Sequence, residues 1–223
     1  MSAFFTVTRS KVSGALAAAA VLLVAAGIGA GSSPAAAGAA PDGLEAGRGT
    51  ASAQAKVSGS ARISFVYSPD DDIRFTFDVE AAPFTRPLPG LPKGLPTDAR
   101  GTVRISHHVA GSDHAVTSEA AVDCLVTGDR TASFTAVITR ADPEVADTVG
   151  QRRGFSVLDG GSPRHPDRVG FSWGVVNVDD TDPGGPVEGK VGTCMAPAPF
   201  APVISGDLTV RPGELAPMPA GGQ

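Results

Sequence analysis

Aromatic side chains make up only 5% of this 223-residue chain, with one Trp and one Tyr. That scarcity argues against a cleft that stacks on sugar rings. Basic residues are few: 18 Lys plus Arg face 23 Asp plus Glu, a formal charge of −5. Binding to phosphate backbones depends on basic clusters, and no contiguous one is present. Nucleic acid and an anionic membrane surface are therefore not expected partners. Cysteine is limited to Cys124 and Cys194, so a thiolate metal centre would need further ligands that the local sequence does not supply. Catalytic signatures are missing as well. Gly170-Phe171-Ser172-Trp173-Gly174 has the Gly-x-Ser-x-Gly spacing, but it lies within an alternating strand run and not at a strand-to-helix elbow. The chain has no His-Glu-x-x-His and no phosphate-binding glycine loop. Paired carboxylates for glycoside chemistry stay open, because such pairs form in space and not along the chain. Glu80, Glu119, Asp78 and Asp123 sit on polar strand faces and read as solvated residues.

Long apolar runs are absent except for one at the start. Arg9 and Lys11 precede an Ala-, Val- and Leu-rich stretch from Ala15 to Ala30, and small residues follow through Ala40. A basic start, an apolar middle and an Ala-x-Ala site describe a secretory signal peptide. Cleavage is expected at Ala35-Ala36-Ala37 or at Gly38-Ala39-Ala40; an uncut N-terminal anchor is the alternative. Loss of Arg9 and Lys11, with no acid lost, moves the formal charge from −5 to about −7. The expected organisation is a signal peptide over 1–40, a flexible leader over 41–55, a β domain over 56–212 and a disordered tail over 213–223. The expected location is outside the cell or at the cell wall, with no stable membrane span after cleavage. In an oxidising compartment the two cysteines are most simply a Cys124–Cys194 disulfide.

From Lys56 onward apolar residues alternate with polar ones, which is the period of a half-buried strand. Ile73, Phe75, Phe77 and Val79 face one way; Arg74, Thr76, Asp78 and Glu80 face the other. Ile63 and Phe65 show the same pattern, and so do Val103, Ile105 and Val109, and Ala132, Phe134, Ala136 and Ile138. Val116, Ala120, Val122, Cys124 and Val126 share a face, which predicts a core-facing Cys124. Residues 83–100 hold five prolines, too many for a strand or helix, and predict a long surface loop of polyproline character. Asp142, Pro143, Glu144 and Gly150 predict one short helix. A strand is expected over 168–178, with Gly170, Ser172 and Gly174 forming a small-residue face that another backbone can approach. The fold class is all-β: an antiparallel barrel or two-sheet sandwich of about eight or nine short strands, with one short helix.

Three groups of side chains invite a site. His107, His108 and His114 form a histidine cluster, but adjacent strand residues point apart. Asp70, Asp71 and Asp72 in one turn, and Asp179, Asp180 and Asp182 in another, could hold calcium; aspartate also serves turns by bonding nearby backbone. Arg152 and Arg153, with Arg164, His165 and Arg168, are the one local basic grouping. They read either as a contact for an anionic cell-wall polymer or as a solvated loop balancing Asp159 and Asp167.

The stretches Gly59–Phe65, Asp70–Phe75, Val122–Val126, Asp167–Gly174 and Cys194–Phe200 together resemble exported proteins of high-GC Gram-positive bacteria that carry the label repetin or no label. More loosely, the chain is similar to post-collagen-type β domains. The resemblance spans about residues 56–211 and implies no activity. The repetin label would imply calcium binding through EF-hands, which this chain lacks. The expected function is an exported, non-catalytic binding or structural module at the cell envelope or outside it. The rival readings are a barrel that carries a small apolar molecule and an enzyme with a carboxylate or histidine site.

Overall fold

The computed structural model describes residues 54–162, 164–180 and 184–219. The expected signal peptide, most of the leader, Asp182 and the last four residues lie outside the described residues.

Most of the alternating segments form strands. The strands are β1 (Lys56–Ile63), β2 (Asp72–Ala81), β3 (Ala99–His108), β4 (Val116–Thr127), β5 (Thr131–Ala141), β6 (Arg152–Leu158), β7 (Arg168–Phe171), the short β8 (Val178–Asp179) and β9 (Val187–Glu188), and β10 (Ala201–Arg211). Eight of them close into an antiparallel barrel in the order β1-β2-β3-β4-β5-β6-β7-β10 and back to β1; β8 and β9 pair separately as a two-stranded insertion. The sandwich alternative is thereby resolved in favour of the barrel. Each strand pairs with its chain neighbour, so the fold is an up-and-down meander, and closure removes the open edges of a sheet.

An eight-stranded barrel is just wide enough for its own side chains to fill. Here phenylalanine does most of that filling. Phe75 stacks on Phe77 at 5.8 Å, Phe77 meets Phe134 edge-on at 5.2 Å, and Phe134 stacks on Phe155 at 5.5 Å. Toward the end of the barrel, Trp173 packs on Phe171 at 4.6 Å and on Phe155 at 5.7 Å. Val57, Val79, Val103, Val157, Val169 and Leu208 complete a core whose members are almost wholly buried. Most of the described aromatic residues are thus spent inside, with Tyr67 exposed.

Closure is unequal around the barrel. β10 pairs with β7 only through Ala201 and Pro202, opposite Val169 and Arg168. Further along, the Leu208 N–H donates to Asp167 at 2.7 Å and the Val210 N–H to Asp159 at 3.1 Å. Two carboxylates take the place of a missing strand. A register irregularity between Arg62 and Ile63 opposite Ser205 and Val203 bends the same stretch, which blunts it against pairing with another chain.

Several expectations need correction. Cys124 is buried but does not face the core. The β4–β5 register shifts between Val122 and Cys124, so Asp123 is an extra residue and the alternation flips after it. Leu125 enters the core in place of Cys124 and Val126. The predicted helix is a 3-10 segment, Pro143–Thr148, broken at Val145 and with no buried residue. Asp142 does not cap it; its carboxylate accepts the Thr117 N–H at 2.8 Å and hydroxyl at 2.9 Å. The strand expected over 168–178 stops at Phe171, and Gly174, with φ +65, starts a 3-10 turn that leaves Val175 exposed.

Candidate functional site

The disulfide forms as expected between Cys124 and Cys194, with Cα atoms 5.3 Å apart. It lies on the outside of the barrel. Cys124 opposes Thr135 across β4 and β5, and the Cys194 N–H donates to the Thr135 hydroxyl at 3.2 Å. The segment after Cys194 then runs as a strap over β6 and β7. A Cβ on Gly154 would lie 2.1 Å from the Met195 carbonyl oxygen, and one on Gly170 2.5 Å from that of Ala198. Of the expected small-residue face, Gly170 is approached in this way, whereas Gly174 faces open space in the 3-10 turn. Ser156 donates to the Pro197 carbonyl at 2.6 Å, and the Gly154 N–H to Ser172 at 2.7 Å.

Beside the staple sits Asp123, 3% exposed. It accepts from Thr135 and from Arg152 Nε at 2.8 Å. Arg86 lies 3.5 Å from it and donates to its backbone carbonyl at 2.8 Å. Asp98, equally buried, accepts the N–H groups of Thr85, Arg86 and Leu95 at 2.9–3.1 Å and so organises the proline-rich loop. These buried carboxylates are saturated by backbone and arginine donors, and they serve structure.

The predicted site residues disperse. Asp71 turns toward His107 at 2.8 Å and accepts the Ala110 N–H at 2.9 Å. Burial pushes its carboxyl upward, but those two donors more than offset it, and the net shift is below the ordinary carboxylate range. Asp72 turns outward between Arg74 at 2.8 Å and Arg62 at 3.3 Å; the Arg74 bond leads in holding it low. Asp70, Asp179 and Asp180 are exposed, and Asp182 lies outside the described residues. Among the described residues no three His, Cys, Asp or Glu side chains come close enough to hold a metal ion. The histidines also part: His108 meets the Ser112 carbonyl and His114 meets Glu144. The basic grouping also disperses: Arg164 and His165 stay exposed on their loop, and the other three turn to internal partners. Arg152 is on Asp123, Arg168 bonds the Pro199 and Phe200 carbonyls, and Arg153 turns inward. Arg153 lies 5.7 Å over the Trp173 ring and pairs with Glu188 of β9; its burial lowers its pKa.

What the linear sequence concealed is a patch of arginines on the outer wall. Arg104 opposes Glu119 across β3 and β4, and Glu119 opposes Arg140 across β4 and β5. Arg62 opposes Arg74, and Arg74 opposes Ser106. Cross-strand neighbours of this kind have Cβ atoms about 5 Å apart. Arg74, Arg104 and Arg140 line a groove of about 700 Å³, open to solvent, together with Thr76, Ser106, Thr117, Ser118, Glu119 and Asp142. Glu119 lies 3.1 Å from Arg104 and 3.0 Å from Arg140. The Arg104 bond is the leading cause of its lowered pKa. The signal was present as outward Arg residues on β1, β2, β3 and β5, about 12 to 36 residues apart; the meander brings them onto one patch of wall as two rows offset by two residues, Arg62 with Arg74 and Arg104 with Glu119 and Arg140.

No protein-family model, curated protein or solved structure matches the chain.

Proposed function

We propose that this chain is an exported, disulfide-stapled, non-catalytic module that binds at the cell envelope or outside it, and that its ligand is met on the outer wall of the barrel. One observation carries the reading: the interior is occupied by a packed aromatic ladder, while a polar groove opens across β2–β5. A carrier needs a ligand-sized interior, and Phe75, Phe77, Phe134, Phe155 and Trp173 fill that space. An enzyme needs titratable groups that converge on a reacting atom; the convergent carboxylates here are bonded to arginine and backbone donors. The Cys124–Cys194 staple suits an oxidising compartment. Among the described residues no helix is long and apolar enough to cross a membrane. Kinship with the exported repetin-labelled proteins belongs to this same proposal.

The test is retention of envelope material by the immobilised chain and by Ser106→Trp, which places a bulky ring in the groove. The expected outcome is retention by the first and loss by the second. Envelope fractions that yield nothing bound to the folded chain would count against the reading.

A further inference from the structure

Resting on that outer-wall reading, we propose that the groove over β2–β5 is a binding site for a carboxylate-bearing polysaccharide, gripped by Arg104 and Arg140 with Arg74 beside them. Four features of the wall select this ligand class.

Charge comes first. Two arginines share each carboxylate: Arg62 and Arg74 share Asp72, and Arg104 and Arg140 share Glu119. Each trio carries one excess positive charge on a chain whose formal net charge is −5. The carboxylates of the two trios lie two strands apart and four residues apart in register, about 16 Å, so an extended ligand with repeated charges can meet both.

Donor capacity comes second. A guanidinium is a fork able to make two parallel bonds to one carboxylate. Among the described residues Arg104 meets Glu119 through Nε, and Arg140 meets it through one Nη. Both side chains are about three-quarters exposed, which leaves their remaining N–H groups accessible to an incoming oxyanion. Glu119 already occupies the position such a carboxylate would take.

The third feature is the remainder of the lining. Ser106 offers a free-standing outward hydroxyl to a sugar chain, while Thr117 and Thr76 bring hydroxyls already bonded to Asp142 and Ser60, and Asp142 adds a second carboxylate to the lining. The fourth is the lack of any aromatic residue among the groove-lining side chains. Bases of single-stranded nucleic acid are held by stacking on aromatic rings, and this groove provides none. Recognition here is by charge and hydroxyl.

Titrating the full chain with polygalacturonate at low salt, against neutral dextran and inorganic polyphosphate, tests the proposal. Polygalacturonate is expected to bind, dextran not to bind, and polyphosphate to bind more weakly. The double variant Arg104→Gln with Arg140→Gln should lose about tenfold in affinity. Glu119→Gln should gain about threefold, because it removes the competing internal carboxylate. All three side chains are on the outer wall, and melting curves of each variant are the check that it folds. Equal binding by the double variant, no gain in Glu119→Gln, or preference for polyphosphate would overturn the assignment. If polygalacturonate fails to bind while Ser106→Trp still abolishes retention of envelope material, the ligand class falls and the outer-wall reading stands. If Ser106→Trp leaves retention intact, both fall.

Discussion

At the scale of single residues, stability concentrates in a few carboxylates. Asp123 is the clearest case: its side chain is 2% exposed and ties Arg152 and Arg86 to the wall beside the disulfide. Removing one partner of a buried ion pair leaves an uncompensated charge. The arginines left behind are 33% and 42% exposed, which softens the cost, and Asp123→Ala is expected to cost about 1–3 kcal/mol in urea unfolding. An unchanged midpoint would show that Arg152 simply reaches water. The depressed carboxyls give a second expectation. Asp71, Asp72, Glu119 and Asp142 all titrate below their ordinary values in the folded state. The unfolded chain then binds protons first, so the stability these groups add is complete above about pH 4–5 and is lost as pH falls through their folded values. Melting temperature should be flat from pH 7 to about 5 and decline below that. A melting temperature that rises on acidification below pH 4 would contradict the assigned bonds. The same pairings predict that millimolar calcium leaves the melting temperature unchanged, because Asp71 and Asp72 already have donors; a rise on adding calcium would reinstate the aspartate turns as a site.

At the scale of elements, strands were readable and their facing was not always so. Period-two alternation is a direct consequence of the pleat, and it located β2 and β5 with their inward residues and β3 with Val103 and Ile105; Val109, read inward as well, lies past the end of β3 and is exposed. It misplaced Cys124 because one inserted residue, Asp123, reverses every side chain after it. Nothing in the local composition marks that insertion. The Asp142-Pro143 signal failed for a related reason: the Asp142 carboxylate is bound to Thr117, some 25 residues earlier, and so cannot cap. The small residue at Gly170 of β7 was readable because close backbone approach leaves no other option there. Gly170→Val should lift the strap over 195–200 off β6 and β7, costing about 1–3 kcal/mol. Limited proteolysis should then cut within the strap; an uncut strap would show that the Cys194 staple suffices to hold it.

At the scale of the whole molecule, the staple and the filled interior define what the protein can do. The disulfide spans 70 residues of sequence and in the chain-entropy model contributes roughly 4 kcal/mol. It joins the strap to the outer wall instead of bracing the core. The arginine patch could not be read along the chain, because its members come from four strands and meet only when the meander closes. The aromatic ladder was half legible: alternation points Phe75, Phe77 and Phe134 inward, but inward alternation alone does not say whether a barrel is full or hollow. That distinction separates an outer-wall binder from a carrier. Xenon dissolved under pressure enters apolar voids, and methyl shifts of Val57, Val79, Val103, Val157 and Leu208 would report it from inside the barrel. The filled barrel predicts no xenon-dependent shifts at these methyls in the wild-type chain and clear ones in Phe155→Ala; xenon shifts spread along the inner methyls of the wild type would reveal a hollow interior and contradict it.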